Sequence, residues 1–131
     1  MCIKETIKDP DLFSTLRKNP YAHDIFKKEL DFHLEVFEEN EAKKYLIFKR
    51  KINGNIGYVV VIERDFLSAE EMKMIYKQYK NTVVELSNNN FREVELVVVC
   101  KRVNREVLEF IKEYNRRYPH RPPIRLILNT Y

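Results

Sequence analysis

The chain has 131 residues, 44% hydrophobic, 34% charged and 12% aromatic, with a net charge of +4. That length suits one domain. The apolar content excludes a disordered tail, and no apolar run approaches the roughly 20 residues a membrane span needs. Lys4, Glu5, Lys8 and Asp9 interrupt the N-terminus before any apolar stretch, so no signal peptide is read there and a cytoplasmic protein with no membrane partner is expected. Only two glycines occur, Gly54 and Gly57, which excludes the Gly-rich loops of P-loop and dinucleotide-binding enzymes. Abundant Glu and Lys beside a single Gln, Gln78, suit a protein of a hot environment, although eleven Asn run against that. Cys2 and Cys100 make neither a disulfide framework nor a zinc site, and Cys100 reads as a small buried hydrophobe. A reducing, intracellular compartment follows.

In chain order, residues 9–30 predict a helix in two pieces. Asp9 caps the first, with Pro10 at the first helical position, and Asn19-Pro20 repeats the signal. Leu12, Phe13 and Leu16 share one face; Ile25, Phe26 and Leu30 form the next. Residues 32–38 alternate as a strand, with Phe32, Leu34 and Val36 against His33 and Glu35. Glu38 to Glu41 reads as a polar turn. Residues 44–50 predict a second strand, Asn53-Gly54-Asn55 a hairpin turn, and Tyr58 to Ile62 a third strand buried on both faces and therefore central. Ser68-Ala69-Glu70-Glu71 is a capping box. It opens a helix with Met72, Ile75, Tyr76, Tyr79, Val83 and Leu86 on one face, stopped by Asn88-Asn89-Asn90. Val94 to Cys100 is another continuous apolar strand. Asn104 caps a helix carrying Val107, Leu108, Phe110, Ile111 and Tyr114, ended by Pro119. Ile124 to Leu128 is the last strand. The order αβββαβαβ predicts an α/β domain, a mixed sheet with helices packed on it, whose later strands run parallel through right-handed crossovers.

The order of these elements, with Val97-Val98-Val99-Cys100, Arg105 to Phe110 and Ile124-Arg125-Leu126-Ile127 closing the sheet, resembles the restriction-endonuclease-like fold of the PD-(D/E)xK nuclease superfamily. The resemblance covers about residues 12–128. It implies an Asp near the start of the second meander strand, and an acid, any residue, then Lys at the end of the third. Such carboxylates hold Mg²⁺. Here the third strand ends Val61-Ile62-Glu63-Arg64-Asp65. With Arg64 in the Lys place the acid position is Ile62; with Glu63 in the acid place the Lys position is Asp65. The second strand begins Ala42-Lys43-Lys44, with no acid. The chain therefore resembles a degenerate member. Glu63 and Asp65 lie on one side of their strand, and Glu35, or Glu38 and Glu39, is placed to approach from the first strand. Those carboxylates are the candidate catalytic residues of an active metal-dependent nuclease, the one reading that needs Mg²⁺; otherwise no cofactor is expected. His23, His33 and His120 have no partners at zinc spacing.

Charge gives the second line of argument. Residues 1–113 hold 20 basic and 20 acidic side chains, whereas residues 114–131 hold Arg116, Arg117, Arg121 and Arg125 and no acid. His120 adds to the positive field when protonated. Guanidinium groups pair with phosphates, and Tyr114 and Tyr118 are either stacking platforms or core. Lys49 and Lys51, on one side of the hairpin, either extend this field or guard a sheet edge. The expected function is association with DNA or RNA through Arg116, Arg117, Arg121, Lys49 and Lys51. Eight Phe and eight Tyr also raise the alternative of a homodimeric interaction module with exposed aromatics.

Overall fold

The apolar runs found in the sequence become the middle of one sheet. The computed structural model describes residues 4–23, 25–26, 32–52 and 54–131. In chain order these form β1 (Lys4–Ile7), α1 (Leu12–Lys18), β2 (Phe32–Asn40), β3 (Tyr45–Ile52), β4 (Asn55–Leu67), α2 (Ala69–Ser87), a single 3₁₀ turn at Phe91–Glu93, β5 (Val94–Val103), α3 (Arg105–Arg117) and β6 (Arg125–Asn129). The sheet order is β1-β6-β5-β4-β3-β2. β2, β3 and β4 form an antiparallel meander, and β4, β5, β6 and β1 run parallel. This is an α/β fold with a mixed sheet in the expected element order, preceded by the unforeseen β1. Four residues of mixed polarity carry no readable period; β1 exists through its ladder to β6.

Residues of opposite parity fill two cores. Val60 and Ile62 of β4 and Leu96, Val98 and Cys100 of β5 face α2 and α3, against Met72, Ile75, Tyr79, Val107 and Ile111. Val59, Val61, Val97, Val99 and Ile127 face α1, against Leu12, Phe13 and Leu16. β4 lies between β3 and β5, so burial on both faces correctly marked it as central.

Boundaries moved where side chains compete with the backbone. The first helix starts at Leu12, not after Asp9. Asp9 instead accepts from the Asp11 amide (2.9 Å) and contacts His23 Nε2 (2.7 Å). The second helical piece is not present over the residues described: 21–23 are turn and Ile25 and Phe26 are non-helical, while Lys27 to Leu30 lie outside the described residues. Asn19 Oδ1 accepts from the Tyr21 amide at 3.1 Å, closing a local turn rather than capping a helix. β2 runs through Glu38, Glu39 and Asn40, so the turn comes later, at 41–44. Its ladder slips between Val36 and Glu38, leaving Phe37 as a bulge. The hairpin turn carries Gly54 at φ +83°, which suits glycine; Asn53 lies outside the described residues.

Candidate nucleic-acid interface

Three of the four C-terminal arginines acquire definite partners. Arg125 begins β6 beside β1 and β5. Its Nη2 and Nε donate to Glu5 at 2.5 and 3.1 Å, its Nη1 donates to the Ile25 carbonyl at 2.6 Å, and Glu95 lies 3.6 Å away. Glu95 also receives Arg50 at 3.2 Å. A row of alternating charges, Arg50–Glu95–Arg125–Glu5, is thus drawn from four strands and reaches over β4 between the first two, and Arg125 is spent on the fold. Arg116 is exposed and donates twice to Glu113, at 2.6 and 3.1 Å. That pair holds the Glu113 carboxyl below its ordinary range, chiefly through the Arg116 hydrogen bond.

Arg121 has a different setting. Its guanidinium lies 3.8 Å from the Phe91 ring centre and 3.9 Å from that of Tyr118. Nη1 donates to the Tyr114 hydroxyl at 3.4 Å. Cation–π contact on these rings and one hydroxyl fix the fork without any carboxylate. The rings are themselves placed by the helix ends. The Ser87 hydroxyl donates to the carbonyls of Val83 (2.7 Å) and Asn90 (2.9 Å), and Asn90 Oδ1 accepts from the Arg92 amide (3.2 Å), setting the Phe91 turn. Asn115 of α3 clasps Ile124, accepting its amide at 2.9 Å and donating to its carbonyl at 3.2 Å, which holds the loop before β6. Tyr114 is buried and Tyr118 packs on it with ring centres 5.0 Å apart. Both tyrosines therefore belong to the fold rather than forming free platforms.

These two loops border an open hollow of about 350 Å³ lined by Asn89, Asn90, Arg92, Arg117, His120 and Arg121, with Phe91, Tyr118 and Pro119 completing the wall. No carboxylate lines it. Arg92 and Arg117 are exposed and make no ion pair with any described residue. Sequence reading passed over Arg92, because Glu93 beside it cancels its charge in any local window; only the meeting of the two loops puts it with Arg117 and Arg121.

The hairpin lysines lie at the same end of the sheet. Lys49 pairs across β3 with Tyr58, which pairs with Val94 at the start of β5, next to the Phe91 turn. That places Lys49 two strands from Val94, about 10 Å. Lys51 follows two residues on. Lys49 is also directly opposite Glu35 on β2.

The carboxylates do not converge. Glu35 lies on exposed β2, two strands from β4 and level with Tyr58. Glu63 is five residues further along β4, about 17 Å at the strand rise. Glu39 is drawn instead to Arg17 (3.4 Å). Glu63 is partly buried and accepts from Asn129 Nδ2 at 3.1 Å. Burial raises its pKa above the ordinary carboxylate value, against the Asn129 hydrogen bond and the Lys44 charge. Asp65 is exposed; with Lys43, Lys44, Arg64 and Tyr131 it lines a cavity of about 340 Å³ beside Glu63. Across the ladder, where a second acid is needed, stands Lys44, whose carbonyl accepts the Glu63 amide at 2.9 Å. Among the described residues no group of three or more His, Cys, Asp or Glu is disposed to hold a metal ion. This donor set does not fit Mg²⁺, which asks for several oxygen ligands around a near-octahedral site.

No family model matches the chain, and no curated protein matches it. One solved structure is similar: the structure of EndoMS in apo form, at 10% sequence identity and a TM-score of 0.49, aligned over 94% of this chain and 46% of that one. The chain thus spans about half the length of that structure.

Proposed function

We propose that this domain associates with nucleic acid by its phosphates, using Arg92, Arg117 and Arg121, with Lys49 and Lys51 extending the contact, and does not cleave it. One observation carries the reading: an open hollow lined by three arginines and a histidine, and by no acid. Cations gathered with no acid in the lining cost self-repulsion, which Glu113 outside the hollow relieves in part for Arg117 and a polyanion relieves further. Arg92 replaces Arg116 in the contact set, since Glu113 already answers Arg116. The resemblance to a degenerate nuclease domain points to the same partner class.

Fluorescence anisotropy with a labelled oligonucleotide tests this. Binding is expected to weaken steeply as salt rises, with each of Arg92→Ala and Arg117→Ala lowering the logarithmic slope by about one. Arg116→Ala is expected to stay within about twofold of the parent, because an exposed pair contributes little. Added Mg²⁺ or Mn²⁺ should produce no cleavage. Cleavage abolished by Glu63→Ala would replace this reading with a metal-dependent nuclease built on Glu63 and Asp65. Salt-independent binding, or equal binding by the Arg92 and Arg117 variants, would remove the arginine cavity from it.

A further inference from the structure

We infer that the cavity between the loops before β5 and β6 takes a phosphomonoester, as found at the end of a nucleic-acid strand, in preference to the phosphodiesters inside one. The inference rests on the reading above and narrows it to a chemical class of ligand.

The shape comes first. Phosphates within a strand repeat at regular spacing and meet cations spread along a surface. Here Arg92, Arg117 and Arg121 line one open concavity of about 350 Å³. Two loops wall it, one reaching from α2 and one from α3. The hollow is open to solvent, and its three cations gather around one point, which suits a single terminal phosphate better than a row of evenly spaced ones.

The charge agrees. A phosphomonoester carries about −1.5 to −2 near neutral pH and offers three strong acceptor oxygens, while a diester carries a single charge. Three guanidinium groups that face no lining carboxylate match the more highly charged group. Lys49 and Lys51, outside the cavity at the same end of the sheet, are left for the phosphates that follow.

Preorganisation completes the case. A free arginine loses rotamer entropy when it binds. Arg121 has lost it in the fold, held between the Phe91 and Tyr118 rings with Nη1 on the Tyr114 hydroxyl. Its pKa is raised: burial, the largest single influence, opposes this, and the Tyr114 hydrogen bond outweighs it only together with Tyr114, Tyr76 and Tyr118 acting through their charges, so the fork stays charged. Planar two-point pairing with phosphate oxygens is what such a fixed fork does well. Arg92 and Arg117 are exposed and supply mobile charges around the fixed one.

The test compares four probes of matched sequence in anisotropy competition: a single strand with a terminal phosphate, the same strand with hydroxyl ends, a duplex with hydroxyl ends, and a mononucleotide. The phosphorylated strand is expected to bind about tenfold more tightly than its hydroxyl counterpart, a charge-assisted preference. Arg117→Ala is expected to abolish that preference, and Arg121→Lys, which keeps the charge and loses the fork, to reduce it. Thermal midpoints check that each variant folds. A preference retained by both variants, or equal binding of phosphorylated and hydroxyl strands, overturns the inference while leaving nucleic-acid association standing. Binding of the mononucleotide alone keeps the monoester site and overturns the nucleic-acid reading. Binding of no probe removes both.

Discussion

Glu63 shows how one side chain changes meaning once its surroundings are known. In the sequence it is an acid at a strand end, two residues from Asp65. In the fold it is partly buried, faces Asn129 and Lys44, and has its pKa raised by burial above all. The folded protein therefore holds the Glu63 proton to higher pH than the unfolded chain does. Stability from this group falls as pH rises from the ordinary carboxylate value through the raised one, and is flat above it. Glu63→Gln is expected to raise the thermal midpoint at about pH 8 and to change it least at about pH 4, measured by calorimetry; the opposite ordering would show that Lys44 and Asn129 outweigh burial. Cys100 is the simpler case. Its thiol is pushed up to about 11 by burial alone, which suits the small core residue read from its Val-rich run.

At the scale of elements, the strongest local signals performed as physics requires, with one substitution of partner. α2 begins at Ala69 after Ser68, whose hydroxyl oxygen accepts the Glu71 amide at 3.2 Å. The reciprocal half of the capping box is spent elsewhere, because the Glu71 carboxylate faces Arg64 Nε at 3.4 Å. Ser68→Ala is expected to cost about 1 kcal/mol in denaturant unfolding, whereas Glu71→Gln should cost little, since its partner is a part-exposed ion pair. α2 ends with Asn88 in the left-handed conformation, φ 52°, as the Asn run suggested. α3 starts after Asn104, whose Oδ1 accepts the Glu106 amide at 3.4 Å. By contrast β1 and the segment leading into α1 depend on distant partners. Asn129 accepts the Asp9 amide at 2.9 Å and donates to the Asp9 carbonyl at 2.8 Å. That bond crosses the whole length of the chain, and no local window contains it.

At the scale of the molecule, the surplus of positive charge divides into structural and free parts. Arg125 is absorbed by Glu5 and Glu95 in the row drawn from β3, β5, β6 and β1. Glu5→Gln is expected to lower stability by about 1 kcal/mol, near 3–5 °C in thermal midpoint, with no change in oligonucleotide binding at constant salt; a parallel loss of binding would mean that Arg125 also contributes to the interface. Most of the aromatic surplus is likewise internal. Phe13, Phe26 and Phe48 are buried in the core on the α1 side, Tyr45, Tyr79 and Tyr114 in the core under α2 and α3, and Tyr76, Phe91, Phe110 and Tyr118 pack against the latter. Among the described residues Phe37, Phe66 and Tyr131 are the exposed aromatics, and Phe37 lies edge-on to Tyr58 at 5.3 Å.

The sequence by itself determined the α/β class, the meander followed by two crossover units, the central place of β4, the apolar strand β5, and the two capped helices. Those features rest on period, on continuous β-branched runs and on side chains that bond within four residues, all of which are local. Tertiary structure decided which charges are free. An arginine's field depends on what stands a few ångströms away, and Glu5 reaches Arg125 from 120 residues off, while Arg92 reaches the Arg117–Arg121 cavity from another loop. The same reason separates Glu35 from Glu63: strand pairing, set by register rather than by residue type, put them at opposite ends of the sheet.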